Sequence, residues 1–353
     1  MKMIHCADIH LGSALTSRFG KDKALKRKGE LRSAFSAMVD YAREENIPVI
    51  LLSGDVFDSD RPSKKDKEFF YQVVKNNPSI DFLYLRGNHD QRGAYDMELP
   101  NLKTFEDRWS CYRYDDTAIW GLELEGTNEA ALYNALQARQ EDKNIVMLHG
   151  QLSDSPGPGR ICLSRLREKY IDYLALGHIH SYGIGSLDSR GIWCYPGCLE
   201  GRGYDEIGEK GFVVIDTDDL SAPQFVKRSR RVVRYLEIDL TGCADEYQAL
   251  RQVQQELPPN CEDLLRLELV GETAWDASDL PGELAPILEG RYFHHSIKNR
   301  TVRAFDLDSY AQEISLAGEF VRRVQALEGI SEEERREVIQ LGLRALDGRE
   351  VQA

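Results

Sequence analysis

The chain has 353 residues, 45 Lys and Arg against 59 Asp and Glu, a formal charge of −14 and 42% hydrophobic residues. That length exceeds one comfortable core and predicts two domains, with a small third element as an option. The acidic balance excludes a chain that holds nucleic acid by global charge, so any contact with phosphate would depend on local basic patches and bound metal.

No run approaches the roughly 18 to 20 apolar residues that a membrane span needs. The expectation is a cytoplasmic protein with no membrane association, complete from Met1, which leads straight into a strand pattern. Up to about residue 215 short apolar runs alternate with helical patterns, the signature of an α/β sheet sandwich. The run at 3–6 is followed by Asp8-Ile9-His10. Next comes a helix whose Leu31, Phe35, Met38, Val39 and Ala42 share one face. The run at 49–52 leads to Gly54-Asp55 with Asp58. After Pro62, Ser63 is placed to cap a second helix that buries Phe69, Phe70, Val73 and Val74. The run at 82–85 leads to Gly87-Asn88-His89-Asp90, that at 145–148 to His149-Gly150, and that at 173–176 to Gly177-His178-Ile179-His180. Runs at 192–195 and 212–215 complete a first domain, set at 1–220. A polar stretch with the basic run Lys227 to Arg231 reads as a linker into a smaller α/β domain at 232–306. Its elements are 235–240, a helix at 247–257, 264–270, 280–288 and 297–305. Residues 308–353 read as a helix pair. Tyr310, Ile314, Ala317, Val321 and Val324 are spaced 4-3-4-3, Gly329 interrupts, and Ser331 with Glu334 opens a helix carrying Val338, Ile339, Leu343 and Leu346.

Five apolar runs thus lead into potential metal ligands. Loops leaving the carboxyl ends of strands in an open α/β sheet converge on one edge, so these five can build one site. Glycines at 54, 87, 150 and 177 suit sharp turns beside an ion. Imidazoles, carboxylates and one amide oxygen, without thiolate, suit Mn²⁺, Fe²⁺ or Zn²⁺ better than Mg²⁺. Seven candidate ligands exceed the three or four that one catalytic ion takes, which predicts two ions. At a separation of roughly 3.5 to 4 Å such a pair steadies both oxygens of an in-line displacement at phosphorus.

The order D-x-H, G-D-x-x-D, G-N-H-D, H-G and G-H-x-H resembles the calcineurin-like metallophosphoesterase superfamily. The flanks ADIHLG at 7–12, SGDVFDSDRPS at 53–63 and RGNHD at 86–90 are similar to its DNA-repair exonuclease branch, the SbcD-like nuclease subunits of double-strand-break repair complexes. The motifs cover about residues 1–215, and the remainder corresponds by architecture only. The resemblance implies a β-sandwich flanked by helices, a smaller α/β cap that recognises DNA and a C-terminal helical hairpin. It implies two divalent ions, with Mn²⁺ the first expectation and Fe²⁺ or Zn²⁺ the alternatives. Asp8, His10, Asp55 and His180 would hold one ion, Asp55, Asn88, His149 and His178 the other, and Asp55 would bridge. His89 would protonate the leaving sugar oxygen, oriented by the carboxylate of Asp90. Asp58 stands at a variable position, either orienting a ligand or facing substrate. Cys198 replaces the serine usual in the branch. The hairpin would dock an SbcC-like coiled-coil ATPase, with a homodimer as an option.

Lys26, Arg27 and Lys28 after the first motif, and Arg61 and Lys64 after the second, are candidate DNA-phosphate contacts, against the alternative of a solvated helix face. His5, His294 and His295 read as structural or surface residues, and the seven cysteines as reduced thiols, Cys194 and Cys198 lacking the second pair of a zinc knuckle. The expected function is metal-dependent DNA cleavage, exonucleolytic with endonucleolytic action at ends or hairpins. The alternative is a phosphoesterase for a nucleotide or lipid-linked sugar, favoured by the acidic charge. A non-catalytic scaffold is disfavoured because no ligand or candidate acid is missing.

Overall fold

A computed structural model describes residues 1–346 except 17–18, 91–96, 127, 156, 305–309 and 311. Residues 1–235 and 262–265 form one compact unit and the remainder a second.

Two six-stranded sheets build the first unit. One has the order β14 (Asp219–Lys227), β13 (Gly211–Asp216), β1 (Lys2–Cys6), β2 (Val49–Ser53), β3 (Asp81–Leu85), β4 (Leu102–Thr104). The other has the order β11 (Gly183–Ser186), β12 (Ile192–Tyr195), β10 (Tyr173–Gly177), β7 (Lys143–His149), β6 (Thr117–Gly121), β5 (Ser110–Tyr114). Strands β1 to β3 are mutually parallel, as are β7 and β10. The seven apolar runs of this part are therefore all strands. They read as continuous apolar stretches because both faces are covered. Val49 and Leu51 enter the core between the sheets with Met3, Leu83, Ile145, Met147 and Tyr173, while Ile50 and Leu52 turn out toward Phe35, Met38 and Phe70. On the outer face of the second sheet, Val146, Leu148, Leu174 and Leu176 pack on Leu132 and Tyr133.

Helix α1 (Lys21–Glu44) buries the five residues of the expected face. Helix α2 (Lys64–Lys75) starts where Ser63 accepts a hydrogen bond from the Asp66 N–H, and it buries Phe70 and Val74, with Phe69 and Val73 half-buried. His5 is fully buried, its Nδ1 2.9 Å from the Tyr173 hydroxyl, which makes it a core residue. Residues 219–227, which the sequence suggests as the start of a polar linker, instead form β14, paired antiparallel with β13. An edge strand buries few of its side chains, so its composition stays polar.

Strands β15 (Val233–Asp239), β16 (Leu264–Val270) and β18 (His294–Asn299) form a three-stranded sheet that belongs mostly to the second unit. Helices Glu246–Glu256 and Leu280–Leu288 bury Ala249, Val253, Leu280, Leu284 and Leu288. The terminal helices Leu316–Gln325 and Glu332–Leu346 pack on each other through Val321, Val324, Ile339 and Leu343. Ser331 and Glu334 make the reciprocal capping box, each backbone N–H donating to the other's side chain. The first of these helices is capped by Ser315 instead of running on from Asp308, and Ile314 of the expected stripe is fully exposed. Asp308 itself lies outside the described residues. No described helix is long and apolar enough to cross a membrane.

Candidate active site

The five motif loops leave β1, β2 and β3 of one sheet and β7 and β10 of the other, so the site lies across the end of the sandwich and not along one sheet edge. Backbone bonds stitch them together. The Asp8 N–H donates to the Gly54 carbonyl at 3.0 Å, His10 to Asp55 at 2.9 Å and Gly150 to Gly177 at 3.1 Å. The His149 imidazole spans the two sheets, its Nδ1 donating to the Ser53 carbonyl at 2.9 Å. Gly54 makes room for it: its φ is +92°, and a Cβ there would lie 2.1 Å from His149 Nδ1. Asp8, His10, Asp55 and His178 all hold positive φ, at 52°, 50°, 53° and 103°. Such torsions are costly for side-chain-bearing residues and persist where the surroundings enforce them.

His10 Nε2 lies 3.2 Å from His180 Nε2 and 3.7 Å from Asp55 Oδ2, and His180 Nε2 is 3.7 Å from Asp8 Oδ1. His149 Nε2 is 3.4 Å from Asp55 Oδ2. Asn88 Oδ1 is 3.0 Å from both His149 Nε2 and His178 Nδ1. The seven predicted ligands therefore meet in one place. Tautomers follow from the outer partners. A carbonyl can only accept, so His149 carries its proton on Nδ1 and turns the Nε2 lone pair inward. Glu206 Oε1 lies 2.7 Å from His180 Nδ1, which leaves the His180 Nε2 as an acceptor facing His10, and the Asp58 carboxylate stands 3.0 Å behind the His10 Nδ1 as its charged neighbour.

Acceptor lone pairs and buried carboxylates converging in this way repel unless a cation lies among them, and the nitrogen and oxygen donors suit divalent transition ions. Charge states carry the same strain. Burial and the neighbouring Asp55 charge push the Asp8 carboxyl up to about 6, and burial pushes the His10 imidazole down to about 4. Burial opposes charge on His149, but Asp55 and Asp8 push it up to about 9, a proton standing where a cation would. Burial likewise opposes ionisation of Asp55, which His149 and His10 nonetheless hold well below the usual carboxylate range.

Arg202, Glu206 and Lys210 join the site without any motif to announce them. Arg202 donates to Asp58 Oδ1 at 2.7 Å and to Glu206 Oε1 at 3.1 Å, so one guanidinium ties together the carboxylates behind His10 and His180. Lys210 Nζ donates to the His180 carbonyl at 2.9 Å. The cluster of charge in the glycine-rich stretch 201–210 is the only signal of them in the sequence. Asp58 is thereby placed behind His10. Cys198 is buried with its sulfur 3.5 Å from the His180 carbonyl, and no disulfide joins the seven cysteines.

Two expectations need correction. Asp90 does not orient His89: its fully buried carboxylate accepts from the Val56 and Gly87 N–H groups, both at 2.7 Å, and from the Tyr84 hydroxyl. It locks the second and third motif loops together, while the exposed His89 has its Nδ1 3.4 Å from the Asp58 carbonyl and its ring 4.9 Å from that of His10. Arg27 is no phosphate contact. It is 1% exposed, paired with Glu30 and Glu200, and donates to the Gly201 carbonyl. Of the other basic candidates Lys26, Arg61 and Lys64 are exposed and Lys28 half-buried, Lys64 lying 3.7 Å from Glu68.

Residues 1–182 match the family described as Calcineurin-like phosphoesterase. The chain is 23% identical over 366 residues to the DNA double-strand break repair protein Mre11 of Saccharolobus solfataricus, covering 97% of this chain and 94% of that one. It is 29% identical over 239 residues to the uncharacterized metallophosphoesterase YhaO of Bacillus subtilis, covering 61% of this chain and 57% of that one. With one component of the nuclease SbcCD of Bacillus subtilis it shares 22% identity over 249 residues, covering 67% of this chain and 60% of that one.

Proposed function

The chain belongs to the calcineurin-like phosphoesterases, and we propose that within this family of two-metal hydrolases it cuts DNA. The reading is an exonuclease with endonucleolytic action at ends or hairpins, working in DNA repair. One observation carries the chemistry: the convergence of Asp8, His10, Asp55, Asn88, His149, His178 and His180 around inward-facing acceptors, with His89 exposed beside them. The choice of DNA rests on the relatives named for double-strand break repair and as part of a nuclease, one of which spans nearly the whole chain.

Asp8, His10 and His180 would hold one divalent ion and Asn88, His149 and His178 the other, with Asp55 between them. When bound, the pair supplies Lewis-acid stabilisation of charge developing on a phosphodiester. His89 would protonate the leaving sugar oxygen, since its imidazole is the exposed titratable group on the rim. Asp58, Glu206 and the Ser53 carbonyl would keep three imidazoles in the binding tautomer. Mn²⁺ is the proposed physiological ion. A coiled-coil ATPase of the SbcC kind is the proposed partner of the terminal hairpin, on which Leu316, Val338, Leu341 and Leu346 stay exposed after its two helices pack.

A second reading, a small-molecule phosphoesterase, is favoured by the charge of −14 and by the burial of Arg27. The two separate in one assay: end-labelled linear DNA and a panel of phosphomonoesters, each with Mn²⁺. Release of labelled nucleotides supports the nuclease, and turnover of the monoesters alone overturns it.

A further inference from the structure

Beside the candidate ligands Asn88, His149 and His178 lies a cleft of about 430 Å³ that they help to line, a size that admits a small ligand or one unit of a longer one. Part of its wall is the turn 157–160, closed by the Arg160 N–H donating to the Gly157 carbonyl at 2.9 Å. The Gln151 N–H donates to the Gly159 carbonyl at 2.9 Å, which clips this turn to the chain directly after His149. Gly150 lets the two come together, because a Cβ there would stand 2.7 Å from the Gly159 carbonyl. The backbone of Arg160 is thus held in fixed register with a candidate metal ligand.

Two arginines line the cleft. Arg86 is committed, its Nε donating to Glu123 at 2.7 Å. Arg160 is exposed and makes no ion pair among the described residues. Glu125 and Glu129 also line the cleft, so an anionic group entering it requires a cation to meet it. We propose that Arg160 is a specificity-determining residue that holds a second phosphate of the substrate, the neighbour of the scissile one, with the intervening nucleoside in the cleft. The substrate class is then a nucleotide phosphodiester carrying a further phosphate. A guanidinium suits this task because its fork of donors matches phosphate oxygens in pairs.

The inference rests on the reading of the seven converging residues as the phosphodiester site. Its test is calorimetric titration of the Mn²⁺-loaded protein with thymidine 3′,5′-bisphosphate and with thymidine 5′-monophosphate. The wild type should bind the bisphosphate at least about tenfold more tightly, as one charge-assisted contact allows. Arg160→Ala should abolish that preference with monophosphate affinity and metal content unchanged, and Arg160→Lys should retain part of it. A wild type without the preference overturns the inference, as does an Arg160→Ala protein that keeps it or weakens for both ligands equally. DNA cleavage is scored separately. A protein that shows the preference yet leaves end-labelled DNA intact sinks the nuclease reading and supports Arg160 as the determinant for a smaller nucleotide.

Discussion

His89 and Asp90 are neighbours in the chain with opposite surroundings, one exposed at the rim and one fully buried beneath it. Removing His89 takes away only the long 3.4 Å approach of its Nδ1 to the Asp58 carbonyl and the edge contact of its ring with His10, so His89→Ala should keep its metal and nearly all of its unfolding midpoint. Its turnover should fall by at least the roughly 10²-fold that a general acid supplies. Asp90→Asn should show the reverse priority. Its carboxylate accepts from two motif loops and a tyrosine, and weakening charge-assisted bonds worth about 1.5 to 3 kcal/mol each should lower the thermal midpoint as well as turnover. Equal midpoints for the two variants would contradict this division. Glu206→Gln keeps the shape behind His180 but loses the charge, so Mn²⁺ affinity measured by calorimetry should fall about tenfold or more. An unchanged affinity would leave Glu206 without the orienting role. The candidate ligands are legible in the sequence because each follows an apolar run in a recognisable motif. Arg202 and Glu206 are not, since their importance comes from the 201–210 segment folding back on His180, which no local periodicity encodes. Asp90 misleads because adjacency in sequence does not tell which way a side chain points.

At the scale of elements, the strands are the most readable feature, because burial on both faces demands unbroken apolar runs. β14, β4 and β5 escape such a reading, where half-exposed edges carry polar residues and lose that contrast. β1 carries an unusual passenger, since burial pushes His5 in the core between the sheets down to about 3. The unfolded chain takes up this proton near pH 6.5 while the folded chain does not, so below that pH the unfolded state binds more protons and stability falls as pH falls. His5→Gln should remove this component. Between about pH 7.5 and 5, wild type should lose roughly 2 kcal/mol more than the variant, read from urea midpoints. Parallel curves would show that His5 titrates normally. The second motif loop makes a further prediction. Gly54→Ala places a Cβ in the His149 ring and strains a φ of +92°, so metal binding should collapse with little change in secondary structure by circular dichroism.

For the whole molecule, the charge of −14 argues against broad electrostatic capture of DNA, and the burial of Arg27 among glutamates extends that reading to α1. What remains is a local site whose attraction for phosphate has to come from the ions it holds and from a few placed cations, so its activity should depend steeply on metal. The roles of His89, Glu206 and Arg160 all depend on five loops from two sheets making one centre for two ions. Native mass spectrometry of the Mn²⁺-saturated protein tests it directly, with Asp55→Ala and His178→Ala measured beside the wild type. Two ions per chain are expected in the wild type, one retained in His178→Ala and none held tightly in Asp55→Ala. A wild type that saturates at one ion, or an Asp55→Ala protein that still holds two, would contradict it.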